Sequence, residues 1–158
     1  MNNIWIGSTA GPVGLKGEIK IITDINHQDK IFKINNNLII NDNPYTIKTL
    51  RFFKNHYIIS FQGYEDINKI NDLLHQDVYV NKDHLSLLTN EFLYTEIIGF
   101  TIMDNQEKIG IVKNILLNKK NYFIQDDRLI IPMIDKYLVN VDLKNRIINV
   151  QNSKELSI

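Results

Sequence analysis

From Asn3 to Val150 the chain is a succession of short apolar runs, each cut off from the next by a polar turn. In "HYIISF" (56–61), Tyr57, Ile59 and Phe61 alternate with His56, Ile58 and Ser60. That is the two-residue period of a strand whose faces differ. "NIWIGSTA" (3–10), "EIKIIT" (18–23), "NLIIN" (37–41), "YTIKTLRFF" (45–53) and "DVYVN" (77–81) read the same way. Asn43-Pro44 and Lys54-Asn55 supply the turns. Short strand segments of this kind make up most of the chain. They predict an all-β fold.

One helix is predicted. In "YEDINKINDLLHQ" (64–76), Ile67, Ile70, Leu73 and Leu74 fall at helical spacing, with Glu65 and Asp66 in the first turn, where the helix dipole favours acids. "HQDKIF" (27–32) predicts a second, shorter helical turn. After "KDHLSLLTNEF" the strand series restarts: "IIGFTIMD" and "KIGIVKNILL" flank Asn105-Gln106 as a hairpin, and "YFIQ", "RLIIPMI", "YLVNVD" and "RIINV" follow. Asp126-Asp127 and Lys144-Asn145 are turns, and Pro132, lacking an N–H, should end its strand or lie on an edge. Each group is too small for a sandwich, so the expectation is two small β-barrels in tandem, closed or nearly so. The boundaries read as 1–88 and 89–152, with 153–158 a polar, frayed tail.

The 158 residues are 44% hydrophobic and 23% charged, enough apolar material for packed cores. There is no cysteine, which excludes disulfides and thiolate metal sites. No run of eighteen apolar residues and no secretory leader pattern is present, so the expected compartment is the cytoplasm, with no membrane attachment. Eighteen basic residues balance eighteen acidic ones, and the split is nine to nine both in 1–88 and in 89–158. Binding bare nucleic acid by counterion release usually needs a basic excess, so composition favours a folded protein partner first.

"GPVGLKGEIKIIT" (11–23) looks at first like a phosphate loop. Such loops aim backbone N–H groups and the first turn of a following helix at the anion. Here "EIKIIT" leaves the glycines as a strand, so no helix N-terminus is available. Gly11, Gly14, Leu15, Lys16 and Gly17 are therefore assigned to a structural turn between two strands.

Nothing assembles a catalytic centre. His27, His56, His75 and His84 lie in separate elements without metal-ligand spacing, and no serine sits in a nucleophile elbow. Asp104, Asp126, Asp127 and Asp135 read as turn carboxylates. No cofactor or metal is expected. Lys48, Arg51 and Lys54 lie along one strand and Lys119-Lys120 crown a turn; each is either a solvated charge or a phosphate contact. Phe92, Leu93 and Tyr94 cluster where the second barrel begins, either as packing or as a protein-binding anchor.

Four stretches, in order and at matching spacing over about residues 4–150, resemble one family, the RimM ribosome maturation factors. They are "GPVGLKGEIKI", "FQGYEDINKINDLLHQDVYV", "EFLYTEIIGFTI" with "KIGIVKNIL", and "RLIIPMIDKYLVNVDLKNRIINV". The resemblance implies an N-terminal RimM barrel followed by a PRC-barrel. It implies a monomeric, non-enzymatic factor that binds the free small (30S) ribosomal subunit, helps mature its head and supports 16S rRNA processing. The implied partner is ribosomal protein uS-nineteen of the head, with Phe92, Leu93 and Tyr94 as the protein contact and Lys119 and Lys120 towards 16S rRNA. The sequence departs from the family pattern at several of these points. Val13 replaces a histidine before Gly14, Phe92 and Leu93 replace two tyrosines, Tyr94 replaces a tryptophan, and "NKKN" (118–121) replaces a glycine-bearing hairpin. Two other readings share the composition: a PRC-type docking module of another complex, and a small β-barrel enzyme acting on rRNA.

Overall fold

The computed structural model describes residues 3–156. The chain is organised as two compact units, Met1–Leu93 and Tyr94–Ile158.

In the first unit, β1 (Asn3–Val13), β2 (Glu18–Ile22), β3 (Asn37–Ile40), β4 (Asn43–Phe53), β5 (His56–Phe61) and β6 (Asp77–Asn81) close into an antiparallel barrel of order β1-β2-β5-β4-β3-β6. Closure removes the free edges that short strands would otherwise expose. The interior is a single cluster including Ile6, Ile19, Ile21, Leu38, Ile40, Ile47, Ile59, Phe61, Val78 and Val80. These are the inward positions of the two-residue period. β5 departs from the expected one-sided pattern. Ile58 and Ser60, on the opposite face from Ile59, are also buried. The Ser60 hydroxyl is satisfied by Thr49 opposite it on β4.

The β3–β4 turn falls at Asn41-Asp42, both at positive φ, and not at Asn43-Pro44. Ile40↔Asn43 flanks this two-residue turn as a hydrogen-bonded pair, so Pro44 opposite Ile39 is a position whose N–H would point away from β3. Pairing of β4 with β5 starts only at Ile47, so the missing donor costs no ladder bond.

The short helical turn forms as α1 (Gln28–Ile31). The longer helix predicted for 64–76 does not. Instead there are two 3-10 turns, Ile67–Lys69 and Asn71–Leu73, separated at Ile70. Ile67, Ile70 and Leu73 recur every three residues, the period of a 3-10 and not an α-helix, and this puts Ile70 and Leu73 into the core together. Asp66 caps the first turn by accepting from the Asn68 N–H at 2.8 Å. At the far end the Thr9 hydroxyl donates to the Leu73 carbonyl at 2.6 Å.

The second unit opens with a 3-10 turn, Tyr94–Ile97, and continues through β7 (Thr101–Asp104), β8 (Glu107–Ile111), β9 (Asn114–Asn118), β10 (Asn121–Gln125), β11 (Ile130–Pro132), β12 (Leu138–Asp142) and β13 (Ile147–Val150). It forms two sheets, β12-β13-β7-β8 and β11-β10-β9, with β13 and β7 parallel and every other pair antiparallel. "KIGIVKNILL" is thus two strands bent at Val112-Lys113. The Val112 N–H bonds Phe100 of one sheet and the Lys113 N–H bonds Gln125 of the other, so the bend joins the sheets into an open barrel. Ile97, Phe100, Ile102, Val112, Ile124, Ile131, Ile148 and Val150 fill it. β11 stops at Pro132 on a sheet edge, where an absent donor is tolerated.

Residues 89–93 divide with the first unit, where Glu91 meets Lys30 and Leu93 joins the core. The tail is structured as far as it is described: Ser153–Leu156 form a 3-10 turn, and Asp104 accepts from the Ser153 N–H at 3.0 Å.

Candidate functional site

The glycine turn is structural, with one exception among its residues. Gly14 and Gly17 have φ of 70° and 82°, and β2 follows directly, so the loop does not lead into a helix. The Leu15 carbonyl accepts from the Ile67 N–H at 3.0 Å, which ties the turn to the 3-10 segment. Gly11 lies inside β1, in open space and without a positive φ, beside an irregularity of register between Thr9 and Pro12. It does not shape the turn. The Leu15 side chain, 75% exposed, and Lys16 form its outer tip.

The 92–94 cluster is divided. Leu93 is completely buried in the core of the first barrel and offers nothing to a partner. Its neighbours are held with it: the Asn26 side chain donates to the Phe92 carbonyl at 2.8 Å, and Lys30 Nζ meets Glu91 Oε1 at 2.8 Å. Lys30 and the Leu88 N–H hold the Glu91 carboxyl below the usual glutamate range. Phe92 is half-buried on this unit.

Tyr94 belongs to the second unit. Its ring lies against Tyr122 of β10, with centroids 3.8 Å apart, and burial pushes its hydroxyl pKa up. Tyr122 is paired directly with Leu117 of β9, which is exposed, so the two share a sheet face. Between them the chain turns through Lys119-Lys120, at φ of 50° and 71°, the two-residue hairpin in which both central residues are left-handed. Both lysines are exposed. The second unit therefore carries two packed phenol rings and, on the hairpin that bears one of them, an aliphatic neighbour and a dibasic tip.

That arrangement can bury aromatic surface, donate or accept hydrogen bonds through phenol oxygens, and attract anions. Sequence reasoning named Tyr94, Lys119 and Lys120 as candidates and did not name Tyr122 and Leu117, whose only signal was their placement two residues outside the lysine turn on either side. The turn carboxylates are structural where bonds fix them. Buried Asp126 accepts from the Arg128 and Leu129 N–H groups at 2.8 and 2.6 Å, and Asp104 anchors Ser153. Among the described residues no three His, Cys, Asp or Glu side chains are grouped to hold a metal ion, and no helix is long and apolar enough to cross a membrane.

Residues 4–85 match the family model of the RimM N-terminal domain, and residues 89–157 match that of the PRC-barrel domain. The molecule is thus of the two-domain class in which a RimM-type barrel precedes a PRC-barrel. The ribosome maturation factor RimM of Staphylococcus aureus strain MRSA252 is 34% identical over 153 residues, covering 90% of this chain and 92% of that protein, and the RimM of strain JH9 aligns with the same identity and coverage. The chain belongs to the RimM family. Among solved structures, a 16S ribosomal RNA processing protein RimM from Pseudomonas aeruginosa aligns over 98% of this chain and 99% of its own at 12% identity, with a TM-score of 0.47. The N-terminal domain of RimM from Thermus thermophilus aligns over 51% of this chain and 89% of its own at 17% identity, with a TM-score of 0.44.

Proposed function

We propose that this chain is an accessory factor for maturation of the small ribosomal subunit, supporting 16S rRNA processing by binding and without covalent chemistry. The observation that carries this reading is the match over 90% of the chain, both domains in order, to proteins named ribosome maturation factors. The factor acts in the cytoplasm as a monomer. Its second unit docks on a protein of the subunit head, uS-nineteen, through Tyr94, Tyr122 and Leu117, with Lys119 and Lys120 turned to rRNA phosphates. Aromatic anchors with polar tips suit such a contact, because they bury large area at small entropic cost. Phe92 remains a secondary contact on the first unit, while Leu93 supports the fold.

Assembly is advanced by preference for one state of the particle. A factor that binds the unfinished head more tightly than the finished one holds the former until final contacts displace it, and only that difference in affinity can shift the balance. No fuel is needed.

The test is sedimentation of cell extract with the tagged full chain. The protein should travel with free small subunits and be absent from complete ribosomes. Tyr94→Ala should weaken that association by about 2 kcal/mol, as expected for an aromatic hot spot. A protein confined to light fractions at every stage of growth would exclude the assembly role.

A further inference from the structure

The β4–β5 hairpin of the first barrel, remote in sequence from the residues just discussed, presents aromatic rings to solvent. Phe52 is 59% and Phe53 52% exposed, flanking the tight turn Lys54-Asn55, whose residues have φ of 50° and 67°. The register places Phe53 opposite His56, Arg51 opposite Ile58, and Ile58 opposite Lys20 of β2. Directly opposed residues share a face, so Lys20, Arg51, Phe53 and His56 all lie on the outside of the β2–β5–β4 sheet. The alternate residues Ile21, Leu50, Tyr57 and Ile59 face the core.

Two cations lie near the Phe53 ring. Lys54 Nζ is 5.3 Å and the Arg51 guanidinium carbon 5.8 Å from its centroid, both within cation–π range. Glu18 orients Arg51 through a two-point contact, Nε to Oε2 at 3.0 Å and Nη2 to Oε1 at 3.3 Å. Phe52 is braced from behind by Tyr57, which stacks in turn on Phe32, with centroids 5.0 and 4.4 Å apart. A two-residue hairpin thus holds an exposed aromatic ring with positive charge close beside it.

We propose that this hairpin binds an unpaired segment of RNA, with Phe53 stacking a base and Lys54, Arg51 and Lys20 meeting the adjoining phosphates. An exposed aromatic platform with interleaved cations is the chemistry that recognises single-stranded nucleic acid, because every base has a π-face and every linkage a charge. A protein partner would use the apolar area but would not need two cations beside the ring and a third, Lys20, on the same sheet face. Glu18 lowers the local charge, so binding is weak in isolation and sensitive to salt. This contact stands independently of the protein-docking role assigned to the second unit.

The test is fluorescence anisotropy of a labelled single-stranded RNA of about ten nucleotides, titrated with the full chain at about 50 mM salt. Single-stranded RNA should bind more tightly than a duplex of the same sequence. Phe53→Ala should weaken binding about tenfold and Phe53→Trp should retain it, as stacking requires. Lys54→Ala should lower the slope of log affinity against log salt by about 0.7, one phosphate contact on a single strand. Lys144→Ala, on an exposed turn of the second unit, should change neither. Since Phe53 is solvent-facing, unaltered thermal melting confirms that each variant is folded. Equal affinity for duplex and single strand, or unchanged affinity in Phe53→Ala, overturns the proposal. So does a Phe53→Ala variant that keeps its RNA affinity and loses small-subunit proteins instead, which would make the hairpin a protein contact.

Discussion

A Cβ on Gly17 would stand 2.2 Å from the carbonyl oxygen of Tyr64. The glycine turn and the strand-to-3-10 connection meet there backbone to backbone, and the Ile67 N–H to Leu15 carbonyl bond closes the same contact at 3.0 Å. Neither backbone can withdraw without breaking that bond. Gly17→Ala must therefore relieve a steric overlap as well as adopt a left-handed φ, at a combined cost of about 3 kcal/mol. Gly11→Ala meets no atom within 4 Å and should be neutral or slightly stabilising, by about 0.5 kcal/mol. Urea denaturation of the two variants checks the contrast. Equal effects would remove the structural role of the turn.

Leu93 and Phe92 are adjacent and should behave oppositely. Leu93→Ala opens a cavity in the first barrel's core and should cost about 2 to 5 kcal/mol. Phe92→Ala, at a half-buried position, should cost about 1 kcal/mol. Chemical denaturation monitored by far-ultraviolet circular dichroism reads both. A stable Leu93→Ala protein that has lost only subunit binding would return Leu93 to the docking surface.

Much of this architecture was legible as period. The short apolar runs gave twelve segments for the thirteen strands of the described residues, with "KIGIVKNILL" read as one where there are two, because the bend at Val112-Lys113 carries no glycine or proline to mark it. The helix over 64–76 was misread because Ile67, Ile70 and Leu73 fit a period of three as well as one of 3.6 over so short a stretch. Lys54-Asn55 and Lys119-Lys120 were legible as turns, whereas the β3–β4 turn was read at Asn43-Pro44 and falls at Asn41-Asp42. Lys119-Lys120 and Lys54-Asn55 form tight hairpins with no glycine, so neighbouring strand pairing, and not local preference, forces their left-handed φ. The docking candidate was half legible: adjacency in sequence grouped Leu93 with Tyr94, although one side chain fills a core and the other packs on Tyr122. Nothing local distinguishes a leucine that completes a barrel from one that greets a partner.

Glu91 gives the first unit an acid-sensitive contact. Lys30 and the Leu88 N–H stabilise its charged form, so its carboxyl titrates lower in the folded than in the unfolded protein. A lowered folded pKa means a contribution fully present above the unfolded glutamate value and lost as pH falls through the folded one. Melting temperatures of wild type and Glu91→Gln should differ at pH 7, converge as pH drops from about 5 towards 3, and coincide below that. A gap that persists undiminished at the lowest pH would assign the effect to packing.

The Thr9 hydroxyl joins β1 to the end of the 3-10 segment, beside a backbone bond from the Thr9 N–H to the Gln76 carbonyl at 2.8 Å. Its Oγ1 donates to the Leu73 carbonyl at 2.6 Å and accepts from the Gln76 N–H at 2.9 Å, and the residue is buried. Thr9→Val keeps the shape and removes both bonds, leaving a carbonyl and an amide without their partner in a place water does not readily reach. The expected loss is about 2 to 3 kcal/mol, well above the value of one ordinary hydrogen bond, because the cost is that of two stranded groups. Thr9→Ser restores the oxygen and should recover most of it, short of about 1 kcal/mol for the missing methyl. Hydrogen exchange separates this account from simple loosening of the core. The Gln76 amide should lose its protection in Thr9→Val and keep it in Thr9→Ser, while the amide of Ile59, on the central strand β5, should follow global stability in both. If Gln76 remains protected in the valine variant, another acceptor serves it and the hydroxyl is not what fastens the segment to the barrel.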